Sequence, residues 1–554
     1  MRFKKTFIYF LIFVGIFWLS FFLVSPLQET GFLDDFAYYQ GVKNLYFNHK
    51  LIVSEWSSAT LILQIVGAYL FSLLLGFSYK TLHFFTITLL FIGLTSFFFA
   101  LKTLKFDNFK SLLFTLFLLS IPWFLFYGFS FSTDVPYVSL QMIAVFFLVR
   151  GLSLSDKYSL YIGSALIACS FLIRQLGFGV FVAMAIALIY DLRNKQLSFV
   201  KFLKLLFIPS LVFIIYTLWL RSGNFSVGQL YVSKWLTENL VSGLLFLNPD
   251  KTFNAYNLIF HRILFYSSQL FGFFFLLLLL LRFSINFKNI FQKKTILIFL
   301  SIILTIFAVY LIDILLNFSR YGLYIPGVPA RYLRYEKLFF IQWGHLWKYM
   351  IIIAILFLSC LIAIKAVKFR PEFQTFHIKS TTIFLVFSFL IQLIMLTLTP
   401  EMYAEYIIAV LPVAVMLFAL LTREIKVPKV FSSILVSFLI LDMIQIVKLN
   451  YHLNGLKWQE GLKLAKSGID PNYIDIRNYA WPRWFFYEDW ITEKIHRAGN
   501  KEGAINNLYY GVSVPIKYVI FSNFDNIKDH GKIVKVIDKK ILFVNTRISV
   551  EELY

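Results

Sequence analysis

The sequence predicts an all-α polytopic membrane protein with about 13 transmembrane helices and a small α+β domain at its C-terminal end. The chain of 554 residues is 59% hydrophobic and only 15% charged, whereas about a quarter of the residues of soluble domains are charged. Its apolar residues form runs long enough to cross a hydrocarbon core of about 30 Å. After residue 448 these long runs stop and the composition changes.

The apolar runs predict the membrane spans in order. The first run follows a basic start and lacks a cleavage site made of small residues, so we expect a retained span rather than a removed signal. The predicted spans lie near residues 6–27, 81–101, 111–130, 135–152, 158–176, 177–191, 203–220, 263–282, 295–317, 347–367, 380–399, 403–421 and 430–447.

One further apolar run, residues 57–79, is ambiguous by hydropathy, and the basic residues decide its placement. Lys and Arg near span ends favour the cytoplasmic side. If 57–79 lies along the outer face or dips into it, every later basic cluster falls inside together with the N-terminus, and if it crosses, they all fall outside. We therefore predict a juxtamembrane or re-entrant helix. The clusters are Lys102/Lys105/Lys110, Arg193/Lys195/Lys201/Lys204, Lys288/Lys293/Lys294, Lys365/Lys368/Arg370 and Arg423/Lys426/Lys429.

This topology predicts a multi-pass protein of the plasma (inner) membrane with a cytoplasmic N-terminus. The transmembrane domain covers 1–448, and the domain at 449–554 is extracytoplasmic. The outer loop 28–80 holds the pair Asp34-Asp35, and long outer loops are expected at 221–262 and 318–346.

The tail after residue 448 combines helical and strand patterns. GLKWQEGLKLAKSG alternates like an amphipathic helix that stops at a glycine. KYVIFSNF, KIVKVI and KILFVNTR are short β-branched and aromatic runs, and the last two are predicted to form a hairpin that turns at Asp538-Lys539.

The composition also excludes several classes of function. The net charge of +23 would suggest nucleic acid in a soluble protein, but these charges mostly lie between apolar runs, where they set topology, so we expect no nucleic-acid partner. Cys169 and Cys360 lie in separate apolar runs and form no disulfide framework or zinc motif. The histidines are scattered without metal-binding spacing.

Three acids are the first candidates for chemistry. Asp34 and Asp35 are adjacent at a membrane edge, and Asp134 opens a later span on the same side. A carboxylate at this depth loses hydration, and this cost marks it as paired or functional. Acids converging on one cavity suit general-base catalysis, and they equally suit a divalent cation held by oxygen ligands.

The first outer loop, LDDFAYYQGVKNLYFNHKLI, resembles that of GT-C glycosyltransferases of the protein O-mannosyltransferase and lipid A aminoarabinose transferase branch. The shared features are an acidic pair, following aromatic residues and a juxtamembrane helix. In this chain they are Asp34, Asp35, Tyr38, Tyr39, Glu55 and Trp56.

The resemblance extends to later positions. Asp134 opens a span, Arg174 stands in LIRQLGFG, and MYAEYIIAVLP (402–412) is similar to the family pattern R-Y-x-x-x-x-x-P. The chain departs from the family at Trp56-Ser57-Ser58, where Pro-Pro-Leu is usual, and around Ala404-Glu405, where the late Arg is replaced.

The resemblance implies a GT-C-like fold and an inverting transfer of sugar from a polyprenyl-phosphate donor to a glycan, lipid or protein hydroxyl. Asp34 would be the general base. Further expected catalytic residues are Asp35 and Asp134; expected donor-phosphate residues are Arg174, Arg331, Arg334 and Lys337, with Arg320 nearby in the same loop; expected substrate-lining residues are Tyr38, Tyr39, Glu55 and Trp56.

Other readings of the same residues stay open. If these acids have only a structural role, Asp34 pairs with Lys43 or caps a helix, and Asp134 is an N-cap. A lipid-linked saccharide flippase would place acids near the midplane. An O-antigen polymerase or ligase would depend on the arginines of 318–346 instead of the acidic loop.

Overall fold

The structure is a computed structural model. It describes residues 2–32, 34–224, 226–241, 249–281, 379–399, 404–476, 517–522, 532–541 and 544–553. The predicted spans near 295–317 and 347–367 and the predicted outer loop 318–346 lie outside the described residues.

The described part of the chain is mainly helical, with one small sheet near its C-terminal end. The helices are α1 Arg2–Val24, α2 Asp35–Asn48, α3 Ile62–Leu75, α4 Tyr79–Thr103, α5 Asn108–Leu119, α6 Pro122–Phe129, α7 Asp134–Leu154, α8 Lys157–Phe171, α9 Gly177–Arg193, α10 Phe199–Trp219, α11 Val227–Trp235, α12 Pro249–Leu280, α13 Ser380–Thr397, α14 Leu411–Leu421 and α15 Lys429–Lys466. Short π-helical segments at Leu220–Asn224 and Leu236–Val241 flank α11, and a 3-10 segment, Ala404–Ala409, precedes α14.

Six helices of the described residues are long and apolar enough to cross a membrane: α1, α4, α7, α10, α13 and α15. The multi-pass membrane architecture is therefore confirmed, whereas the count of about 13 spans is not. The predicted span 111–130 contains two helices rather than one, because α5 and α6 meet at a bend of 65°. Pro122 begins α6, and proline is accepted at a helix start, where its missing N–H costs no hydrogen bond.

The ambiguous run 57–79 contains helix α3, whose length agrees with a helix that does not cross the membrane. Its 14 residues cover about 21 Å at 1.5 Å per residue, which is shorter than a hydrocarbon core of about 30 Å. It ends at Gly76, whose φ is 83°. Glycine adopts this left-handed conformation at little conformational cost because it has no Cβ. Leu70, Leu73, Leu74 and Leu75 are exposed, as expected for a helix that presents leucines to lipid.

The basic clusters that follow α4 and α14 meet at one end of the bundle. The ammonium of Lys110 donates to the carbonyl of Arg423 at 2.6 Å, and the Arg423 guanidinium donates to the carbonyl of Leu104 at 3.1 Å. The Thr6 hydroxyl, near the N-terminus, donates to Asn108 at 3.0 Å. The N-terminus and these two clusters therefore lie together, as the topology argument from basic residues requires.

The acidic loop lies at the opposite end, where α4 and α7 begin. The amide of Phe131 donates to the Asp35 carboxylate at 3.2 Å, and the Tyr451 hydroxyl donates to the carbonyl of Phe126 at 3.0 Å. The amide of Leu61 donates to the carbonyl of Ile173 at 3.1 Å. Loops that are distant in sequence thus close one face of the bundle around the acidic pair.

The C-terminal region continues directly from α15, a helix of 38 residues that passes residue 448 without a break, so the division at 448/449 stays a prediction. The predicted glycine stop agrees with a helix that ends at Lys466, just before Gly468 at φ 95°.

A four-stranded sheet follows, with order β1-β2-β4-β3. Its strands are β1 Ile474–Asp475, β2 Tyr518–Ser522, β3 Lys532–Ile541 and β4 Val544–Glu552.

In this sheet β1 and β2 are parallel, and the other two pairings are antiparallel. The predicted turn at Asp538-Lys539 is wrong, because β3 runs through both residues and the β3–β4 connection follows Ile541. Asp538 instead pairs in register with Arg547, whose guanidinium donates to its carboxylate at 2.8 Å. A cross-strand ion pair is compatible with a continuous strand.

Helices α4 and α7 pack closely because Gly93 removes a side chain from their contact. A Cβ at Gly93 would lie 2.8 Å from the Cα of Ser139 and 2.9 Å from its Cβ. A backbone atom cannot move aside as a flexible side chain does, so this contact fixes the separation of the two helices that lead to the acidic loop.

We expect Gly93→Ala to lower the thermal unfolding midpoint in detergent, because the methyl group meets backbone across the helix contact. Gly15→Ala is the matched control, since a Cβ there meets nothing within 4 Å and alanine favours helix over glycine by about 1 kcal/mol. The control should equal or exceed the wild type. Equal midpoints for the two variants would contradict the close packing.

Candidate active site

Asp34 and Asp35 separate because helix α2 begins between them. Asp34 occupies the N-cap position but its side chain makes no capping hydrogen bond. Its Oδ1 instead accepts a hydrogen bond from Nε1 of Trp56 at 3.1 Å. Asp34 is half-buried, so its carboxylate is partly desolvated and held by a neutral donor.

Asp35 turns inward and is only 1% exposed. Its Oδ2 accepts from the amides of Phe32 and Phe131, each at 3.2 Å, and lies 3.6 Å from Nε2 of His83. Burial raises the pKa of the Asp35 carboxyl, although the His83 contact and the two amides act in the opposite direction. The side chain therefore joins the first outer loop, α4 and the loop before α7.

Tyr38 lies between the acidic loop and the two other predicted site elements. The side chain of Thr133 and the charges of Asp34 and Arg174 all act on its hydroxyl. Burial raises the pKa of Tyr38, with Asp34 adding to the rise and Arg174 opposing it. The hydroxyl is therefore protonated at neutral pH and available as a hydrogen-bond donor or acceptor.

Asp134 and Arg174 form an ion pair through Oδ1 and Nη1, and each side chain is 13% exposed. Asp134 is the first residue of α7, where the helix dipole favours a negative charge. The Arg174 guanidinium lies 4.9 Å from the centre of the Tyr406 ring, which adds a cation–π contact. The arginine is thus held on two sides, close to Tyr38.

The structure brings Asp34, Trp56, Tyr38, Asp134 and Arg174 together, whereas Tyr39 and Glu55 take part in packing and capping. The Tyr39 ring stacks on Tyr79 at 4.4 Å. Oε2 of Glu55 accepts from the amide of Val227 at 2.9 Å, so Glu55 satisfies one of the free amides at the start of α11.

Several neighbours of this site have no signal in the sequence. His83 stands in an apolar span without a signal, and Thr133 precedes Asp134 without a signal of its own. Tyr406 lies in the quoted segment 402–412, but its contact with Arg174 has no sequence signal. Glu405, where the family arginine is replaced, accepts from the Tyr127 hydroxyl at 3.1 Å.

Arg262 is a further buried cation near this face, only 4% exposed. Its guanidinium donates to the carbonyl of Thr397 at 3.2 Å and also to that of Thr399. A cation at the C-terminal end of α13 is favoured by the helix dipole. Arg262 therefore holds the end of α13, just before the segment that carries Glu405 and Tyr406.

The predicted phosphate-binding residues Arg331, Arg334 and Lys337, with Arg320, lie outside the described residues, so their role stays a prediction. Among the residues that are described, no group of three or more His, Cys, Asp or Glu side chains could hold a metal ion. Dependence on a divalent cation remains an open prediction.

The structure superimposes on two solved structures of ArnT from Cupriavidus metallidurans. With ArnT bound to undecaprenyl phosphate, the superposition covers 98% of this chain and 97% of that one, at 9% identity and a TM-score of 0.47. With apo ArnT the coverage is the same, at 10% identity and a TM-score of 0.42. No protein-family model and no curated protein sequence matches the chain.

ArnT is the lipid A aminoarabinose transferase and has a GT-C fold. The similarity assigns no role to any residue of this chain.

The buried carboxyl of Asp35 predicts a pH dependence of stability. Its folded pKa is raised from 3.8, so the folded state binds the proton more tightly than the unfolded state. The stability it contributes is full below the unfolded pKa and is lost as pH rises through the folded pKa. His83, Tyr79 and Tyr451 also face this carboxyl. We expect the thermal midpoint of Asp35→Asn to rise relative to that of the wild type as pH increases from about 4 to 7.

Asp156→Asn is the control of opposite sign, because hydrogen bonds from Ser159, Arg150 and Tyr158 lower the pKa of Asp156. Its contribution is present above the unfolded pKa and lost as pH falls through the folded pKa, so the midpoint of this variant should lie below that of the wild type by a nearly constant amount from about pH 5 upward. A midpoint difference for Asp35→Asn that follows the Asp156→Asn trend would contradict the raised pKa.

Proposed function

We propose that this protein is a membrane glycosyltransferase that transfers a sugar from a polyprenyl-phosphate donor to an acceptor hydroxyl on the outer face of the plasma membrane. The observation that carries the proposal is the arrangement of Asp34. This carboxylate is half-buried and accepts a hydrogen bond from Trp56, and its charge acts on Tyr38 together with that of Arg174, which pairs with Asp134.

Asp34 is the proposed general base. An indole N–H is a neutral donor, so it orients the carboxylate without cancelling its negative charge as an arginine partner would. A partly desolvated carboxylate of this kind can accept the proton of an acceptor hydroxyl that lies within hydrogen-bond distance. Asp35 is less suited to this role, because it is buried and its Oδ2 accepts from two backbone amides and faces His83.

The proposed reaction is a single inverting displacement. Asp34 takes the hydroxyl proton while the acceptor oxygen forms a bond to the anomeric carbon. The bond between that carbon and the phosphate oxygen breaks, and its electron pair leaves with the polyprenyl phosphate. The leaving group needs no proton from an acid, and its negative charge is stabilised by a nearby cation.

Arg174 is the proposed partner of the donor phosphate. A guanidinium carries five N–H donors, so the bond to Asp134 occupies part of its capacity. Asp134 and Tyr406 restrict its motion, and a preorganised cation stabilises developing charge without the cost of reorganisation. Asp134 in this scheme positions Arg174, and Asp35 positions the loop that carries Asp34.

We expect Asp34→Asn to reduce transfer by about 10²- to 10⁴-fold, the usual contribution of a general base. The assay uses the full chain in membranes with radiolabelled polyprenyl-phosphate sugars, and it measures both transfer and donor hydrolysis. Asp156→Asn is the matched control, because Asp156 caps α8 at the opposite end of the bundle.

Unchanged transfer by Asp34→Asn at equal protein level would overturn the role of Asp34. Loss of transfer in arginine variants of 318–346 with Asp34 dispensable would favour a polymerase or ligase. Movement of an intact lipid-linked saccharide across the bilayer, without transfer, would favour a flippase.

The Trp56 contact makes a separate prediction. Trp56→Phe keeps an aromatic ring but removes the N–H that orients Asp34, and a hydrogen bond to a charged group is worth about 1.5–3 kcal/mol. We expect kcat to fall by about ten- to a hundredfold with KM nearly unchanged. Trp18→Phe, which changes a ring packed among Phe17, Phe21 and Phe91, is the control. Equal kcat values for the two variants would show that the indole does not orient the base.

A further inference from the structure

The edge strand β3 lies alongside α15 and runs in the opposite direction. The ammonium of Lys535 contacts Oε2 of Glu460 at 2.6 Å, and Lys539 lies within electrostatic reach of His452. From Lys535 to Lys539 the strand advances about 13 Å. From Glu460 back to His452 the helix covers about 12 Å. The two distances are nearly equal, so the strand and the helix lie side by side over this length.

This direction brings the end of β3 to the place where α15 enters its apolar run. The apolar part of α15 ends at Val447 and is followed by Lys448, whose charge also acts on His452. Lys539 and Lys540 are therefore close to the level of Lys448, at the membrane boundary. We call these three lysines the basic tip.

The basic tip carries positive charge that no acidic side chain of the described residues neutralises. Asp538, which directly precedes Lys539, is bound by Arg547. Glu460 is bound by Lys463 and Lys535. Lys539 and Lys540 are exposed and Lys448 is half-buried. β3 is the last strand in the order of the described sheet, so no described strand lies on its other side.

We infer that the basic tip binds the anionic headgroups of membrane lipids and thereby fixes the C-terminal sheet on the bilayer surface beside the site. Each Lys or Arg close to an anionic surface contributes attraction that falls off within a Debye length. A lipid partner fits better than a soluble anion because the lysines lie where the apolar part of α15 ends. This inference does not depend on the proposed reaction.

The test uses the full chain in nanodiscs, with Cys169→Ala, Cys360→Ala and an environment-sensitive dye on Asn545→Cys. Asn545 pairs with Lys540 in the sheet register and is exposed. Discs contain phosphatidylcholine alone or with about 30% phosphatidylglycerol, each with a trace of headgroup-quencher lipid. With phosphatidylglycerol we expect stronger quenching and a blue shift, and both should disappear at 1 M salt, where the Debye length is about 3 Å.

The double variant Lys539→Gln/Lys540→Gln should lose the response. Lys532→Gln/Lys466→Gln is the matched control, because it removes the same charge from the distal ends of β3 and α15 and should keep the response. A second readout avoids the dye: phosphatidylglycerol added to the detergent-solubilised natural sequence should raise the thermal midpoint, and the Lys539/Lys540 variant should lose most of that gain.

Three results would overturn the inference. The first is a dye response that is the same with and without phosphatidylglycerol. The second is an equal loss of the response in the two double variants. Alternatively, soluble polyphosphate would shift the dye in phosphatidylcholine discs while phosphatidylglycerol would not, which would assign the basic tip to a soluble anionic polymer.

Discussion

The arrangement of the candidate site depends on one buried carboxylate, that of Asp35. It accepts two backbone amides, one from its own loop and one from the loop before α7, and it faces His83 on α4. A buried amide without a partner costs about 1–3 kcal/mol, so these contacts hold three segments that are distant in sequence. Because Asp35 is fixed, the start of α2 is fixed, and with it the direction in which Asp34 points.

The two adjacent acids therefore have different environments and different tasks. Asp35 is enclosed by backbone donors and a histidine, which suits a positioning residue. Asp34 keeps partial exposure and accepts a hydrogen bond from the Trp56 indole, and it is the acid proposed to act. The Asp134–Arg174 pair shows the same division of roles. Asp134 holds the guanidinium, and Arg174 is the group proposed to bind the phosphate. In each pair one residue orients and the other is proposed to act.

The sequence predicted the membrane class, a helix in 57–79 that is short for a span, and an acidic loop at the end opposite the basic clusters, because hydropathy and basic residues report local free energies of transfer. It placed the hairpin turn wrongly at Asp538-Lys539, since an ion pair with Arg547 lets polar residues stay within a strand. It could not separate the roles of Asp34 and Asp35 or find His83 and Tyr406. Those assignments depend on contacts between distant segments, and no local pattern encodes them.

The most direct test of the central claim is a structure of the protein with a non-hydrolysable polyprenyl-phosphate sugar analogue. The account predicts that the donor phosphate contacts the Arg174 guanidinium, and that the anomeric carbon faces Asp34 with room for an acceptor oxygen about 3–3.5 Å away. A donor phosphate bound away from Arg174, with the anomeric carbon out of reach of any hydroxyl that Asp34 could deprotonate, would contradict it.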